Sequence, residues 1–325
     1  MTVAASVIRG ASIARSPPNA NAHGGNIMGK PAHGGDLYTP KHTESTGEPA
    51  SIERPETGTR LSAKEIHANI LGSAEAELER SASALLFSAV AAGLTIGFSF
   101  LAGGWVRGFA EPPLEKLVVA LVYPLGFAFV IFSRNELYTE NTLEPVIPLL
   151  HNRDAETFRK VGRLWVLLIA GNLLGALLFA AVMALTDAIP ATIRSDLLAI
   201  ATESTSDGFA LTFYRAIFAG WLLALLTWLL ASSQDRVSHL VLIWLATVPI
   251  AALEFRHSIV GSVEAFYRAF DGSAGWGSMV GNFIVPALLG NGLGGVTIVT
   301  LLNYGQVSAD SGGKADGTPA GRGAP

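Results

Sequence analysis

The stretch "FSRNELYTENTLEP" (residues 132–145) separates the apolar run "LVVALVYPLGFAFVI" from the shorter "VIPLL". Arg134, Glu136, Glu140 and Glu144 stand where a membrane span would otherwise continue. Two readings compete: a short helix followed by a polar loop, or one helix broken inside the bilayer. Which holds depends on whether the chain repeats the same interruption elsewhere.

The 325 residues are 50% hydrophobic and only 15% charged, and the mean hydropathy is positive. That balance is unusual for a soluble domain and normal for a polytopic membrane protein. Cysteine is absent, which excludes disulfides, thiol nucleophiles and Cys-ligated metal. A net charge of −4 gives no nucleic-acid footprint, and the 35 glycines suit packed membrane helices.

Charge-free stretches locate six spans: Ser81 to Val106, Leu117 to Ser133, Leu164 to Thr186, Ala216 to Gln234, Val237 to Leu253, and one within 272–309 that is most apolar from Val280 to Leu302. A helix needs about 20 apolar residues to cross the hydrocarbon core. The second and fifth stretches fall short, and each is followed by a charged interruption and a weaker apolar piece. "GNLLG" at 171–175 and "GNGLG" at 290–294 lie 119 residues apart. The same offset carries Thr139, inside the first interruption, onto Ser258, inside the second, "EFRHSIVG" (254–261). Three spans precede the repeat boundary and three follow, and an odd number reverses direction. The expected fold is an all-α membrane protein: six transmembrane helices in two inverted three-helix repeats, with broken second and fifth helices. Interrupted segments at matching places in two halves point to a transport site.

Lys and Arg divide evenly between the loops of the two faces. The eight that precede Ser81 place both termini in the cytoplasm. Residues 1–60, rich in Pro, Gly, Ser, Asn and His, read as a disordered cytoplasmic tail without the apolar core of a signal peptide. Ser62 and Glu65 form a capping-box pattern, and Ile66, Ile70, Ala74 and Leu78 share one helical face. Residues 61–80 are therefore expected to form an amphipathic surface helix ahead of a transport domain over 81–304. The remainder, 305–325, reads as a flexible cytoplasmic tail. No Ser/His/Asp set, phosphate loop or metal-ligand cluster is legible, so neither an enzyme nor a cofactor is expected.

"NELYTENT" (135–142), "AGNLLGALLF" (170–179), "FRHSIVGSVEAF" (255–266) and "LGNGLGGVTI" (289–298) together resemble the formate/nitrite transporter family, from about Leu61 to Tyr304. The resemblance implies an aquaporin-like fold, a homopentamer in a bilayer such as the bacterial inner (plasma) membrane, and passage of small monovalent anions through each protomer. It also implies that Thr139 is the threonine of the first break, that Leu137 and Tyr138 narrow the pore beside it, and that His257 is the central histidine of the second. Arg163 falls where the family tends to carry a lysine, near the cytoplasmic vestibule. Two positions depart: Arg256 replaces the usual glutamate, and Gly261 the asparagine of His-Ser-x-x-Asn.

Two half-helices, starting near Asn141 or Thr142 and near Ser258, would aim their N-termini at one space, each with about half a positive charge. Ionisable residues inside a membrane are functional candidates by default, which singles out His257. The resemblance implies that it stabilises or protonates an anion drawn into an electropositive vestibule; the other reading is a structural histidine of the break. Thr139 donates to the permeating oxyanion or caps a half-helix. Arg134 and Glu136 are expected to brace the first loop as a pair, and Glu254 and Arg256 the second. Asn172 and Asn291 are expected to satisfy loop backbone. Phe127 and Tyr123, one and two turns ahead of the first break, narrow the pore or face lipid or a neighbouring protomer. The alternatives are a neutral-solute channel of aquaporin type, which lacks its Asn-Pro-Ala pair here, and a non-transporting sensor or scaffold.

Overall fold

In the computed structural model the described residues are 61–300, 302 and 305–307. The expectations for residues 1–60 and for most of the C-terminal tail lie outside them. All regular structure among the described residues is helical. Helix α1 (Ala63–Leu78) opens with the capping box: the Ser62 hydroxyl accepts the Glu65 N–H at 3.3 Å, and Glu65 Oε2 accepts the Ser62 N–H at 2.7 Å. The backbone donor of Ser62 holds the Glu65 carboxyl below its ordinary range. Ile66, Ile70, Ala74 and Leu78 are buried along one face. Ile66 and Ile70 pack with Leu143, Ile147 and Trp228.

Among the described residues five helices are long and apolar enough to cross a membrane: α2 (Ala82–Arg107), α3 (Leu114–Phe132), α5 (Ala155–Leu185), α7 (Phe209–Ala231) and α10 (Trp276–Thr297). The chain is therefore an integral membrane protein. The fifth expected span, α8 (Arg236–Ala252), is apolar but shorter, at 17 residues. Between these lie α4 (Val146–Asn152), α6 (Ala191–Thr205) and α9 (Ser258–Asp271). Helix α6 lies outside the expected elements. It buries Leu197 and Ala201 at an i, i+4 spacing and closes over α2, where a Cβ on Gly104 would overlap Leu197.

Small residues bring the long helices into backbone contact in two matching pairs. A Cβ on Gly93 of α2 would overlap the Asn172 carbonyl of α5, and one on Gly175 the Val90 carbonyl. A Cβ on Gly220 of α7 would overlap the Asn291 carbonyl of α10, and one on Gly294 the Ile217 carbonyl.

The interruptions match as well. Helix α3 stops at Phe132, and Arg134 turns into the left-handed region at φ 54°. The Arg134 N–H reaches the Ile131 carbonyl at 3.1 Å, and the Asn135 N–H reaches that of Val130 at 3.1 Å. After α8, Glu254 has φ 55°; its N–H reaches Ala251 at 3.2 Å, and the Phe255 N–H reaches Ile250 at 2.8 Å. Both stops are Schellman closures, which satisfy the last carbonyls of a helix internally and turn the chain sharply. Beyond the two stops the two segments differ. Helix α9 starts at Ser258, as expected, whereas after the first break a short 3₁₀ turn (Glu140–Thr142) intervenes and α4 begins only at Val146. The Asn141 or Thr142 start is therefore corrected: Asn141 has a non-helical backbone, φ −85° and ψ 19°.

Candidate functional site

Each break is pinned by one asparagine. Asn172 Oδ1 accepts the Tyr138 N–H at 2.8 Å, while its Nδ2 donates to the carbonyls of Glu136 at 2.9 Å and Ala89 at 2.8 Å. Asn291 Oδ1 accepts the Ser258 N–H at 2.7 Å, while its Nδ2 donates to those of Arg256 at 2.9 Å and Ala216 at 2.7 Å. A primary amide presents one acceptor and two donors, the set needed to close both sides of a loop against a helix. Both asparagines are fully buried, so the loop groups they bind have little access to water.

The pinned loops meet at the centre. Thr139 Oγ1 lies 2.8 Å from His257 Nε2, and both residues are buried. The Val260 N–H donates to His257 Nδ1 at 3.0 Å, which makes His257 the N-cap of α9. That bond fixes the tautomer of the neutral ring: Nδ1 is the acceptor, so the proton sits on Nε2 and is donated to Thr139. The Thr139 O–H is then free to point at a further acceptor. The Thr139 side chain makes no helix-capping bond. The Phe127 ring stands edge-on to the imidazole, with centroids 4.9 Å apart, and Tyr123 follows at 5.5 Å from Phe127. Leu137 is fully buried in the same apolar cluster as Phe127. Ser258 is buried beside the histidine, and its Oγ has no hydrogen-bond partner among the described residues.

Tyr138 is elsewhere. It packs among Leu85, Ala89 and Leu164, edge-on to Trp165 at 6.4 Å, and its hydroxyl donates to the Leu288 carbonyl at 3.3 Å. Leu137 thus belongs to the cluster of Phe127, and Tyr138 to a separate one. The expected bracing pairs are also corrected. Glu136 pairs with Arg80 at 2.7 Å, Arg256 with Asp207 at 2.7 Å, and Glu254 with Lys116 at 2.9 Å and Arg215 at 3.3 Å. The left-handed corners leave Arg134 exposed and Glu254 half-exposed, while Glu136 and Arg256 turn inward against partners on other elements.

Two cavities approach the centre and share no lining residue. One, of about 110 Å³, runs between α3, α6, α8, α9 and α10 and ends on His257. The other, of about 1000 Å³, opens beside α1 and is lined by Glu136, Glu140, Asn141 and Glu144 of the first break. They lie toward opposite ends of α2: Arg107, its last residue, lines the first cavity, whereas Arg80, just ahead of α2, pairs with Glu136 of the second. Arg163 donates to the Arg80 carbonyl and lines neither cavity. The cations of the first cavity are engaged: Arg107 with Glu203 and Glu115, Lys116 with Glu254, Arg256 with Asp207. Carboxylates accompany every one of these cations.

At the second departure, Gly261, a Cβ would overlap the ring of Phe283, which is buried against it and lines the same cavity. Gly261→Asn is expected to destabilise the protein by about 1–3 kcal/mol, the usual range for overpacking. Phe283→Leu in the same chain is expected to recover most of that loss. Thermal unfolding of the two single variants and the double variant in detergent measures it, and simply additive losses would exclude this contact as the cause.

A family model described as formate/nitrite transporter matches residues 64–305. The chain is 32% identical over 283 residues to "Inner membrane protein YfdC" of Escherichia coli (strain K12), covering 87% of this chain and 90% of that protein. Among solved structures it resembles "Pentameric formate channel with formate bound", with a TM-score of 0.61 at 20% identity over 70% of this chain and 98% of the other. It also resembles "FNT family ion channel", with a TM-score of 0.65 at 18% identity over 75% and 99%.

Proposed function

Because the chain belongs to the formate/nitrite transporter family, we propose that it is a transmembrane channel or transporter for small monovalent anions or their weak acids, with formate and nitrite as representative substrates. The observation that carries this reading is the hydrogen bond between Thr139 and His257. It joins the two pinned breaks at a buried point between cavities that open toward opposite ends of α2. In this reading the six helices form two inverted halves, α1 and both termini face the cytoplasm, and the working unit is a pentamer. Exposed apolar side chains such as Phe87, Trp105 and Val166 supply the surface that lipid and neighbouring protomers cover.

The pathway runs from the α1 cavity past Leu137, Thr139, His257 and Phe127 into the α6 cavity. A bare anion in that apolar neck would face a desolvation penalty of several kcal/mol. The hydroxyl of Thr139, oriented by the Nε2–H of His257, offers a donor to a permeating oxygen. The apolar walls favour the form that carries less charge. A pore for neutral solutes would need no ionisable group at its neck.

Uptake of formate, nitrite, lactate and hydrosulfide into the same proteoliposomes tests the reading, beside osmotic swelling with glycerol. The expected result is uptake of one or more of these anions above protein-free vesicles, without glycerol-driven swelling. Swelling with glycerol and no anion uptake would replace this reading with the neutral-solute channel; neither response would favour the sensor or scaffold.

A further inference from the structure

Helix α9 presents more than His257 to the α6 cavity. Residues 257, 261 and 264 recur at the i, i+4, i+7 spacing of one helical face, and all three line it. The middle residue is Gly261, and the ring of Phe283 fills the space its side chain would take. Glu264 is 6% exposed, and one of its carboxyl oxygens accepts a hydrogen bond from the Ser204 hydroxyl of α6. Four glutamates line this cavity: Glu115, Glu203, Glu254 and Glu264. The first three pair with Arg107, Lys116 or Arg215, and Glu264 makes no salt bridge among the described residues. Arg256, whose charge reaches Glu264, is already committed to Asp207.

His257 is badly placed to take up and release a proton. Its Nδ1 is occupied by the Val260 N–H and its Nε2 by Thr139. A second proton on the ring would have to displace a helix-capping bond. The cavity's cations are tied to carboxylates, so an entering anion meets no unengaged positive side chain there. Its charge has to be removed in another way.

On the transport reading, we propose that Glu264 is the proton-exchanging group of the α6 cavity. It hands a proton to a weak-acid anion, which then passes the neck as the neutral acid. The O–H bond of the carboxyl breaks and an H–O or H–heteroatom bond forms on the permeant. No electrons are transferred, and the carboxylate left behind takes its next proton from water at the cavity mouth. Passage the other way reverses each step. The titratable and charged groups that line the cavity with Glu264 are Glu203 from α6, Glu115, Lys116 and Tyr123 from α3, Arg107 from α2, and Glu254, Arg256 and His257 from the second break; Ser204 of α6 and apolar Phe283 of α10 line it as well. The part of α5 from Leu164 to Leu185 carries no charged residue.

Formate flux and internal pH, followed together in proteoliposomes with protein-free vesicles subtracted, test the proposal. In the unmodified protein a proton is expected to accompany each formate, with flux rising as the medium is acidified. Glu264→Gln is expected to lose at least about tenfold of the flux at neutral pH and most of the pH dependence. Glu264→Asp, which keeps a carboxyl, is expected to retain both. Should the Gln variant fail to fold, Ser204→Ala decides: it removes a donor to the carboxylate and moves the midpoint of the pH profile to higher pH. An unchanged profile in Glu264→Gln, an unmoved midpoint in Ser204→Ala, or formate flux without protons in the unmodified protein would overturn the proposal while leaving the channel reading intact. An unmodified protein that carries none of the anions would overturn both.

Discussion

Asn291→Ala is expected to produce the largest loss of stability of any single substitution considered for this protein, roughly 3–9 kcal/mol. Three backbone groups, the Ser258 N–H and the carbonyls of Arg256 and Ala216, depend on this one amide. Leaving a buried polar group unsatisfied costs about 1–3 kcal/mol, and no bulk water is at hand to relieve it. Asn172→Ala is expected to act similarly through Tyr138, Glu136 and Ala89. Asn291→Asp keeps the acceptor for Ser258 and loses both donors, so it should rank close behind alanine. Thermal unfolding in detergent, with assembly followed by size, measures the series. A fall of under about 1 kcal/mol for alanine would show that the break does not rest on this side chain.

The two asparagines also show how far the sequence could be read. "GNLLG" and "GNGLG" stand out because Gly and Asn are both required there: the glycine for backbone contact with α2 or α7, the amide for the loop. Thr139, His257 and Phe127 come together in the structure, where pattern and resemblance had left Phe127 free to face lipid or a neighbouring protomer. The register was less legible. The offset of 119 set Thr139 against Ser258, yet the residue bound as Ser258 is bound proves to be Tyr138. The bound residue precedes its asparagine by 34 positions in the first half and by 33 in the second, a difference that only the bonds reveal. The pairing of the charges was hidden for a different reason. Arg80, Asp207, Lys116 and Arg215 are remote in sequence from the charges they meet, and no local rule reports such partners. Helix α6 carries too little apolar surface to read as a span, although Ile193, Leu197 and Ile200 do follow a helical spacing. Missing it meant missing Ser204, and with it the surroundings of Glu264.

His257→Ala is the second large effect, and it should appear in transport more than in folding. The substitution removes an N-cap, which by itself costs about 1 kcal/mol. It also strips Thr139 of the donor that orients its hydroxyl. Anion flux is expected to fall by at least about tenfold, equivalent to raising the barrier by about 1.4 kcal/mol. The two losses can be separated by His257→Asn. Asparagine is among the best N-cap residues, and its Oδ1 can accept the Val260 N–H. Its shorter side chain cannot also span the 2.8 Å contact that Nε2 makes with Thr139. Thermal stability should therefore return in His257→Asn while flux stays low. Whatever flux remains in either variant should keep its dependence on pH, because the proton is supplied from Glu264. Flux restored by asparagine would reduce His257 to a cap, and a pH profile lost with the imidazole would return proton exchange to the ring.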